Sequence, residues 1–393
     1  MNHAMISKGT IQKILEAGVQ APSGSNSQPW RFAVAGNRIA VYMIPEKDHA
    51  ILNFRNRGTL LAHGGLIENM VIAAGHYGLG STVNLFPEKN DPNFVATVSL
   101  KENGNSNHKE LFDAIWKRAT NRKPYETRKV DGNAKQRFIA IPAEIGEYDT
   151  QLRVTDNREE IEALARAASA NERIMFEDKA LHRLFFEELV WSEGEEKEKK
   201  SGLYLKTMEL APPQAMALRV FKWWPAMKFL SRLGAARGIA KGNAKGYAAC
   251  ALYGAVLCDG GDRSFVGTGR VIERAWLLAT ALGLSFHLQT GINFLWQRMA
   301  EDTRPFVSPE HAGIIRGAYN PAGSRSTGVR RTRLCHGVRL ARLTAAAVVP
   351  VWSQLSEGPD KAPTTRSRGS SMRTVRIAQL MRLTQCGAMS TSL

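Results

Sequence analysis

Cysteine is scarce in this 393-residue sequence, and its four cysteines are scattered at positions 250, 258, 335 and 386. They form no CxxC pair and show no His/Cys ligand spacing. A disulfide-dense scaffold and a zinc site are therefore excluded as organising features. We expect reduced thiols and no metal site, as in a cytoplasmic protein.

Long hydrophobic runs are also missing. No uncharged run approaches the roughly 20 residues that a membrane-spanning helix requires. The most apolar stretch, residues 215–233, is interrupted by Arg219, Lys222, Pro225, Lys228 and Arg232. The N-terminal residues lack the basic and apolar regions of a signal peptide. We therefore expect no membrane span and a cytoplasmic location.

Acidic residues are few relative to basic ones, and the imbalance is concentrated near the C-terminus. Of the net charge of +17, residues 321–393 supply ten units, with twelve Lys and Arg against Glu357 and Asp360. This tail is rich in Arg, Ser and Thr and has no steady periodicity, which predicts disorder. An alternative is an out-of-frame tail. Without interleaved aromatics, the tail predicts no specific nucleic-acid binding.

A weak internal repeat is present at an offset of 205 residues. Residues 64–81 and 269–286 share Gly, Ile, Glu, Ala, Gly and Leu at six equivalent positions, including Glu68/Glu273 and Gly78/Gly283. Both stretches have helical apolar spacing and a closing glycine suited to a left-handed position. The repeat predicts two related halves, each with a buried central helix.

The remaining patterns predict an α+β fold. Helical spacing covers residues 8–18, and alternating segments at 31–44 and 94–100 indicate strands, the first pair turning at Gly36-Asn37. Residues 248–257 and 314–319 are further candidate strands. A helix is expected after Thr155 or Asp156 as N-cap.

The most informative motif is APSGSNSQPWRF at residues 21–32, between the first helix and the first strand. Its small and polar residues leave backbone N–H groups, hydroxyls and carboxamides for a flat, polar-edged ligand. A helix–loop–strand junction can carry Pro, Ser and Asn for structural reasons alone. The second motif is RATNR at residues 118–122, where two guanidiniums and a hydroxyl suit a phosphate. By itself it reads more readily as a basic surface turn.

The order APSxxNxQPWxF resembles the signature of the FMN-dependent nitroreductase family, and RATNR resembles the R-x-[ST]-x-R segment of that family. Residues 283–291, GLSFHLQTG, resemble its segment beside the flavin N5 edge, although a plain helix exit explains them equally well. The resemblance is closest to long members with both halves on one chain, the Acg-type FMN-binding proteins. It implies these cofactor-binding residues: Ser23, Gly24, Ser25, Asn26, Gln28, Arg118, Thr120, Asn121, Arg122, Gln289, Thr290 and Gly291.

The resemblance also implies an architecture. In that family FMN lies at a dimer interface, and each motif occurs here once, so we expect an internal pseudo-dimer with mixed or antiparallel sheets, central helices and one flavin. The expected halves are residues 1–113 and 114–325, with an insertion at about 180–245 and the tail from 326. The family's closing Arg pair would correspond to Arg330 and Arg331.

The function that the resemblance implies is two-electron transfer from NADPH or NADH, through FMN, to a small electron-poor acceptor such as a nitroaromatic or a quinone. No catalytic side chain is assigned, because the flavin carries the chemistry. The alternative is a flavin-sequestering protein in which the insertion, with Trp223, Trp224 and Phe229, forms a lid and turnover is low. The chain could be a monomer or a homodimer.

Overall fold

The computed structural model describes residues 5–102, 104, 108–123, 125, 129–146, 148–319 and, for the backbone, 344–353. The predictions for Arg330, Arg331 and the tail other than residues 344–353 therefore lie outside the described residues. No helix within these ranges is long and apolar enough to cross a membrane.

The N-terminal part is built around one antiparallel sheet. Its four strands lie in the order β1-β2-β4-β3, with the β1–β2 hairpin turning at Gly36, whose φ is +56°. Its elements are α1 (Lys8–Gly18), β1 (Trp30–Ala35), β2 (Arg38–Met43), α2 (Arg57–His76), β3 (Gly80–Leu85), β4 (Phe94–Lys101) and α3 (Lys109–Ile115).

The C-terminal part has a second antiparallel sheet and more helices. Its elements are α4 (Gly132–Ile145), β5 (Thr150–Thr155), α5 (Arg158–Glu177), α6 (Lys179–Glu188), β6 (Leu189–Val190), α7 (Glu193–Lys199), β7 (Leu203–Tyr204), α8 (Pro212–Phe221), α9 (Trp224–Arg232), α10 (Ala235–Ala248), β8 (Leu252–Cys258), α11 (Asp262–Ala281), β9 (Leu284–Phe286), α12 (Gly291–Glu301), α13 (Pro309–Tyr319) and β10 (Thr344–Ser353). The strand order, β5-β8-β10-β9, has the same form as that of the first sheet. The α+β class is confirmed.

The helices α2 and α11 occupy the centre of the molecule and are 205 residues apart at both ends. They pack so closely that a Cβ built on Gly64 would lie 2.7 Å from the Cα of Gly269 and would overlap the carbonyl oxygen of Val266. A Cβ on Gly269 would overlap the carbonyl oxygen of Leu61, the counterpart of Val266. Adding 205 to Leu61 and Gly64 gives Val266 and Gly269, so the two contacts are equivalent. This is the relation that a local two-fold axis between the helices produces.

Both central helices end as their sequence indicates. Gly78 and Gly283 follow the last turns of α2 and α11 with φ values of +72° and +69°. A side chain at either position would be strained in this left-handed conformation, so glycine is the favoured residue. One hydrophobic core joins the two sheets across this helix pair.

Two local predictions were wrong. Residues 314–319 are helical, because Ser308 accepts a hydrogen bond from the His311 N–H and Pro309 starts α13, which buries His311 and Ile315 on one side. The N-cap of α5 is Asn157, whose side chain accepts the Glu160 N–H at 3.1 Å.

The tail is not wholly without structure, and the expectation of disorder is wrong for residues 344–353. This segment forms β10, which pairs antiparallel with β8 on one side and with β9 on the other. β10 occupies the position in the second sheet that β4 occupies in the first. Backbone pairing on both sides supplies the order that its sequence pattern did not indicate.

Candidate functional site

The loop at residues 23–28 is held in an unusual backbone conformation. Ser25, Asn26 and Gln28 all have positive φ values, of 44°, 54° and 48°. Ser23 Oγ accepts a hydrogen bond from the Gln28 N–H at 3.0 Å and closes the loop. Each such residue costs on the order of 1 kcal/mol or more, and such conformations cluster at functional sites. The loop is therefore a candidate binding element on structural grounds as well as by motif.

Arg118 links this loop to the central helices. Its Nη2 donates to the carbonyl oxygen of Gln20 at 2.7 Å, at the start of the loop. Its Nε lies 3.3 Å from Oε1 of the fully buried Glu273 on α11, and its guanidinium lies 4.4 Å from the centre of the Trp276 ring. The RATNR segment thus contacts the residue that directly precedes the loop motif, although about 95 residues separate the two motifs in sequence.

The third predicted segment joins the same place. Thr120 forms a β-bridge with Phe286, and the Asn121 N–H donates to the Phe286 carbonyl oxygen at 3.1 Å. The Phe286 ring stacks on Trp276 with 4.8 Å between centroids. The RATNR segment therefore runs beside β9, and β9 directly precedes residues 287–291.

Part of the insertion covers both main motifs. We call residues 188–209 the cover segment. Ser25 Oγ donates to Glu188 Oε2 at 2.6 Å, and the Gly202 N–H donates to the Ser25 carbonyl oxygen at 2.7 Å. At its other end, the Arg122 guanidinium donates to the Thr207 carbonyl oxygen at 3.0 Å, and the Arg122 N–H donates to Glu209 Oε2 at 2.9 Å.

The last three predicted residues have partners within the protein. Gln289 Oε1 accepts from the Tyr253 hydroxyl, and the Thr290 carbonyl oxygen starts α12 by accepting the Asn293 N–H at 3.0 Å. A Cβ built on Gly291 would lie 2.5 Å from Asn171 Oδ1 on α5. In the structure, Asn171 is therefore what leaves no room for a side chain at this position.

Several buried polar atoms on these segments have no hydrogen-bond partner among the described residues. Such orphaned groups are rare and costly, and a bound polar ligand removes the cost. They include Ser27 Oγ, Ser285 Oγ and Gln289 Nε2 on the motif segments and Asn171 Oδ1 and Glu172 Oε2 on α5. Donors and acceptors of this kind are what the polar edge of a flavin would pair with, and the guanidiniums of Arg118 and Arg122 are the kind of group that binds a phosphate.

A titratable group that sequence reasoning missed lies at this site. Burial raises the pKa of the Glu172 carboxyl to about 7, and Tyr247 donates its hydroxyl to Glu172 Oε1 at 3.2 Å. The Tyr247 ring lies edge-on to His287, whose pKa burial lowers to about 3, so this imidazole is neutral near pH 7. The signal was available, because Glu172 continues the apolar stripe of Ala165 and Ala168 on α5.

Glu68 and Glu273 occupy equivalent positions in the repeat, but their charged partners differ. Glu68 receives hydrogen bonds from Arg270 and Arg274 of α11, at 2.8 and 2.5 Å, and these cations hold its pKa below the usual range although burial opposes them. At the equivalent positions opposite Glu273, α2 carries Gly65 and Asn69. Arg118 from outside the helix pair is its nearest cation, and burial raises the pKa of Glu273 to about 7.

In the second half, the connection equivalent to the loop at residues 23–28 is short, and the Tyr148 side chain fills the space beside it. Residues 146–149 connect α4 to β5, where residues 19–29 connect α1 to β1. Tyr148 packs against Gly267 so closely that a Cβ there would overlap its ring, and the Tyr148 hydroxyl accepts from Arg270 Nη1 at 3.3 Å. The protein therefore builds the loop-based site on one side of its central helices and a salt-bridge cluster on the other.

Comparison with known proteins agrees with the motifs, and the resemblance to the nitroreductase family is confirmed. The model of the Nitroreductase family matches residues 2–54, which include the whole APSGSNSQPW loop. Among curated relatives, the "Uncharacterized protein MT1398" of Mycobacterium tuberculosis (strain CDC 1551 / Oshkosh) is 24% identical over 295 residues, which is 75% of this chain and 40% of that protein. The "Putative NAD(P)H nitroreductase acg" of the same strain is 26% identical over 197 residues, covering 49% of this chain and 57% of that protein.

The chain therefore spans between 40% and 57% of the length of these two relatives. Among solved structures, a nitroreductase with bound FMN from Bacteroides fragilis NCTC 9343 aligns with a TM-score of 0.33 and 12% identity, over 66% of this chain and 97% of that one. The FMN-dependent nitroreductase NfnB of Mycobacterium smegmatis, in complex with NADPH, aligns with a TM-score of 0.32 and 10% identity, over 62% of this chain and 87% of that one. Similarities at this level describe resemblance only.

Proposed function

We propose that this chain is an FMN-dependent oxidoreductase of the nitroreductase type that takes electrons from NADPH or NADH. The observation that carries the proposal is that the RATNR segment contacts two other predicted segments within one chain. Arg118 donates to Gln20, the residue before the 21–32 loop motif, and Thr120 and Asn121 pair with Phe286. The family match to residues 2–54 and the names of the relatives support it. The acceptor we propose is a small electron-poor molecule, such as a nitroaromatic or a quinone.

The residue roles follow from what each segment offers. Arg122 and Thr120, with Arg118 beside them, would hold the phosphate through charge-assisted hydrogen bonds. The loop from Ser23 to Gln28 would contact the ring system with its backbone N–H groups and carboxamides. On the opposite side we assign the same task to Asn121, Gln289, Thr290 and Gly291.

Bound FMN supplies the exchange of a hydride and of electron pairs, and the protein supplies position and environment. The fully buried Glu273 keeps Arg118 in place through their ion pair. The cover segment would exclude water from the ring-binding loop if it closed over bound flavin, and electrostatic interactions beneath it would then be stronger. With a pKa of about 7, Glu172 holds a proton at its carboxyl in part of the population near neutrality, next to the Tyr247 hydroxyl.

We propose one flavin per chain, and two halves related by the axis between α2 and α11. The reasons are the single copy of each motif and the Tyr148–Arg270 cluster on the opposite side. A monomer satisfies this scheme without a partner, and a homodimer would carry two flavins. Titration of the purified chain with FMN should reach an end point at one equivalent, and two equivalents per chain would contradict the scheme.

A second candidate function is flavin sequestration with little turnover. The specific observation that favours it is the cover segment, which is hydrogen-bonded to Ser25 at one end and to Arg122 at the other. If these bonds persist with flavin bound, a nicotinamide cannot reach the ring. The protein would then bind FMN without reducing it.

One experiment tests both candidates. The full chain is purified, loaded with FMN under anaerobic conditions and mixed with NADPH or NADH while the flavin absorbance is followed. Bleaching by either donor, reversed by a nitroarene or a quinone, is the expected result. Yellow protein that does not bleach supports sequestration, and a chain that takes up no FMN contradicts both candidates.

A matched pair of variants tests the phosphate assignment. Arg122→Ala should weaken FMN binding by about 1.5–3 kcal/mol, the range for hydrogen bonds to a charged partner, or roughly ten- to hundredfold in Kd. Lys89→Ala, an exposed cation in the β3–β4 connection, is the control and should leave Kd unchanged. Equal FMN affinity in Arg122→Ala and the wild type would falsify the assignment.

A further inference from the structure

The second part of the insertion has an unusual composition. From residue 210 to residue 258 the sequence contains no Asp or Glu. Over the same stretch, α8, α9, α10 and the residue after α8 expose seven cations. They are Arg219, Lys222, Lys228, Arg232, Arg237, Lys241 and Lys245.

Large apolar side chains are exposed among these cations. On α8 and just beyond it, Met216, Val220 and Trp223 are 71%, 52% and 67% exposed, and their spacing of four and three residues places them on one side. On α9, Phe229 and the following Leu233 are 59% and 70% exposed at a spacing of four. Leu218 and Met227 anchor the two helices from the opposite, buried sides. We call the exposed side chains of residues 216–245 the basic apolar face.

The charge of this face is only slightly offset by its surroundings, through the attraction between Lys222 and Glu195 of α7. None of the seven cations forms a salt bridge with another described residue, and Lys222 lies 5.0 Å from the centre of the Trp191 ring. The acidic helix nearest in sequence, α7, pairs its own charges, Glu193 with Lys197 at 2.7 Å and Glu195 with Lys199 at 2.6 Å. The face therefore presents largely uncompensated positive charge together with solvated apolar side chains.

We propose that the basic apolar face docks on an anionic phospholipid bilayer, with its aromatic and aliphatic side chains in the interface and its cations at the headgroups. Trp, Phe and Leu between Lys and Arg on short helices are the composition that lies in a membrane interface. A second copy of the chain would bring like charges together, which disfavours self-association. Exposed Met, Val and Leu offer acyl chains a contact that a nucleic-acid backbone does not use.

The location of the face links it to the candidate site. α8 starts three residues after Glu209, the end of the cover segment that contacts Arg122. Docking would therefore take place beside the cover. The proposal does not rest on the proposed oxidoreductase activity, since it concerns side chains outside the motif segments.

The test is vesicle co-sedimentation of the full chain at physiological salt. Vesicles of phosphatidylcholine with about one third phosphatidylglycerol should bind the protein at least tenfold more strongly than pure phosphatidylcholine, because anionic lipid attracts each surface cation. The double variants Lys228→Glu/Arg232→Glu and Trp223→Ser/Phe229→Ser should each lose at least tenfold in partitioning. The control Lys89→Glu should stay within twofold of the wild type.

A second readout separates insertion from surface charge alone. Lipids brominated on their acyl chains should quench tryptophan emission in the wild type, and the conservative variant Trp223→Phe should lose that component while still binding. Equal binding to neutral and anionic vesicles, or unchanged binding in both double variants, overturns the proposal. So does dimerisation by analytical ultracentrifugation that Trp223→Ser/Phe229→Ser abolishes, which would identify a self-association surface. Duplex DNA binding lost in the same variants, without vesicle binding, would also overturn it.

Discussion

Arg118 is the residue on which the candidate site is organised, and it makes three contacts at once. It ion-pairs with Glu273, donates to the Gln20 carbonyl oxygen and lies over Trp276. The family pattern assigns such an arginine to a phosphate, but here it also compensates a buried carboxylate. Arg122, by contrast, contacts a carbonyl oxygen and offers its backbone N–H to Glu209.

The two arginines should therefore behave differently in the flavin-free protein. Arg118→Ala removes the ion pair with Glu273, the hydrogen bond to the Gln20 carbonyl oxygen and the contact with Trp276, and should cost about 1.5–3 kcal/mol of the free energy of unfolding. The cost stays below that of a fixed unpaired charge because Glu273, with a pKa of about 7, can take up a proton. Arg122→Ala should cost less than about 1 kcal/mol, because it leaves no buried charge unpaired. Urea denaturation of both variants measures the difference. Equal stability of the two would show that Arg118 is not structural.

The raised pKa values of Glu172 and Glu273 make a prediction about pH. Both carboxyls titrate at about 7 in the folded chain against about 4.5 when unfolded, so the folded state binds more protons between these values. The free energy of unfolding should therefore fall as pH rises from about 4.5 to 7, by on the order of 1–3 kcal/mol for each group.

Substitution can isolate one of the two groups. Glu172→Gln should flatten the pH dependence of unfolding, whereas the exposed Glu162→Gln on the same helix should not change it. Urea midpoints at pH 5 and pH 8 measure this. A Glu172→Gln variant with the full wild-type slope would mean that Glu172 ionises at an ordinary pKa.

At the scale of elements, the crossing of α2 and α11 depends on two glycines. Gly64→Ala would push a methyl group into the Val266 carbonyl oxygen and the Gly269 backbone, neither of which can rotate away. Overpacking of this kind costs about 3 kcal/mol of the free energy of unfolding. Gly242→Ala on α10 is a control, because a Cβ there meets nothing within 4 Å and should stabilise the helix by about 0.5–1 kcal/mol. Thermal or urea unfolding of both variants is the measurement, and a neutral Gly64→Ala would contradict the crossing.

At the scale of the whole molecule, the second sheet depends on a strand far along the chain. β10 lies between β8 and β9, so truncation after residue 343 should expose the β8 edge and yield insoluble protein. Truncation after residue 353 keeps the strand and should yield soluble, folded protein. Expression of the two truncated chains and circular dichroism of the soluble fractions compare them. If both are equally soluble and folded, β10 contributes nothing to the sheet.

The sequence alone was sufficient where the relevant interactions are local. The helix at 8–18, the hairpin at Gly36, the closing glycines Gly78 and Gly283 and the loop between the first helix and the first strand were all predicted, because periodicity and turn chemistry act over a few residues. The family resemblance could be recognised for the same reason, because its main motif lies in twelve consecutive residues, 21–32.

Only the tertiary structure decided how distant segments combine. Glu273 pairs with Arg118, about 155 residues away, because α2 has Gly65 and Asn69 where α11 has Arg270 and Arg274. Gly291 must be small because Asn171 packs there. The helical state of residues 314–319 depends on a cap and on a buried face supplied by packing. The cover segment, the filled counterpart of the loop and β10 likewise depend on contacts between residues far apart in sequence. Such contacts are selected by how the folded chain buries its surface, and no local pattern encodes them.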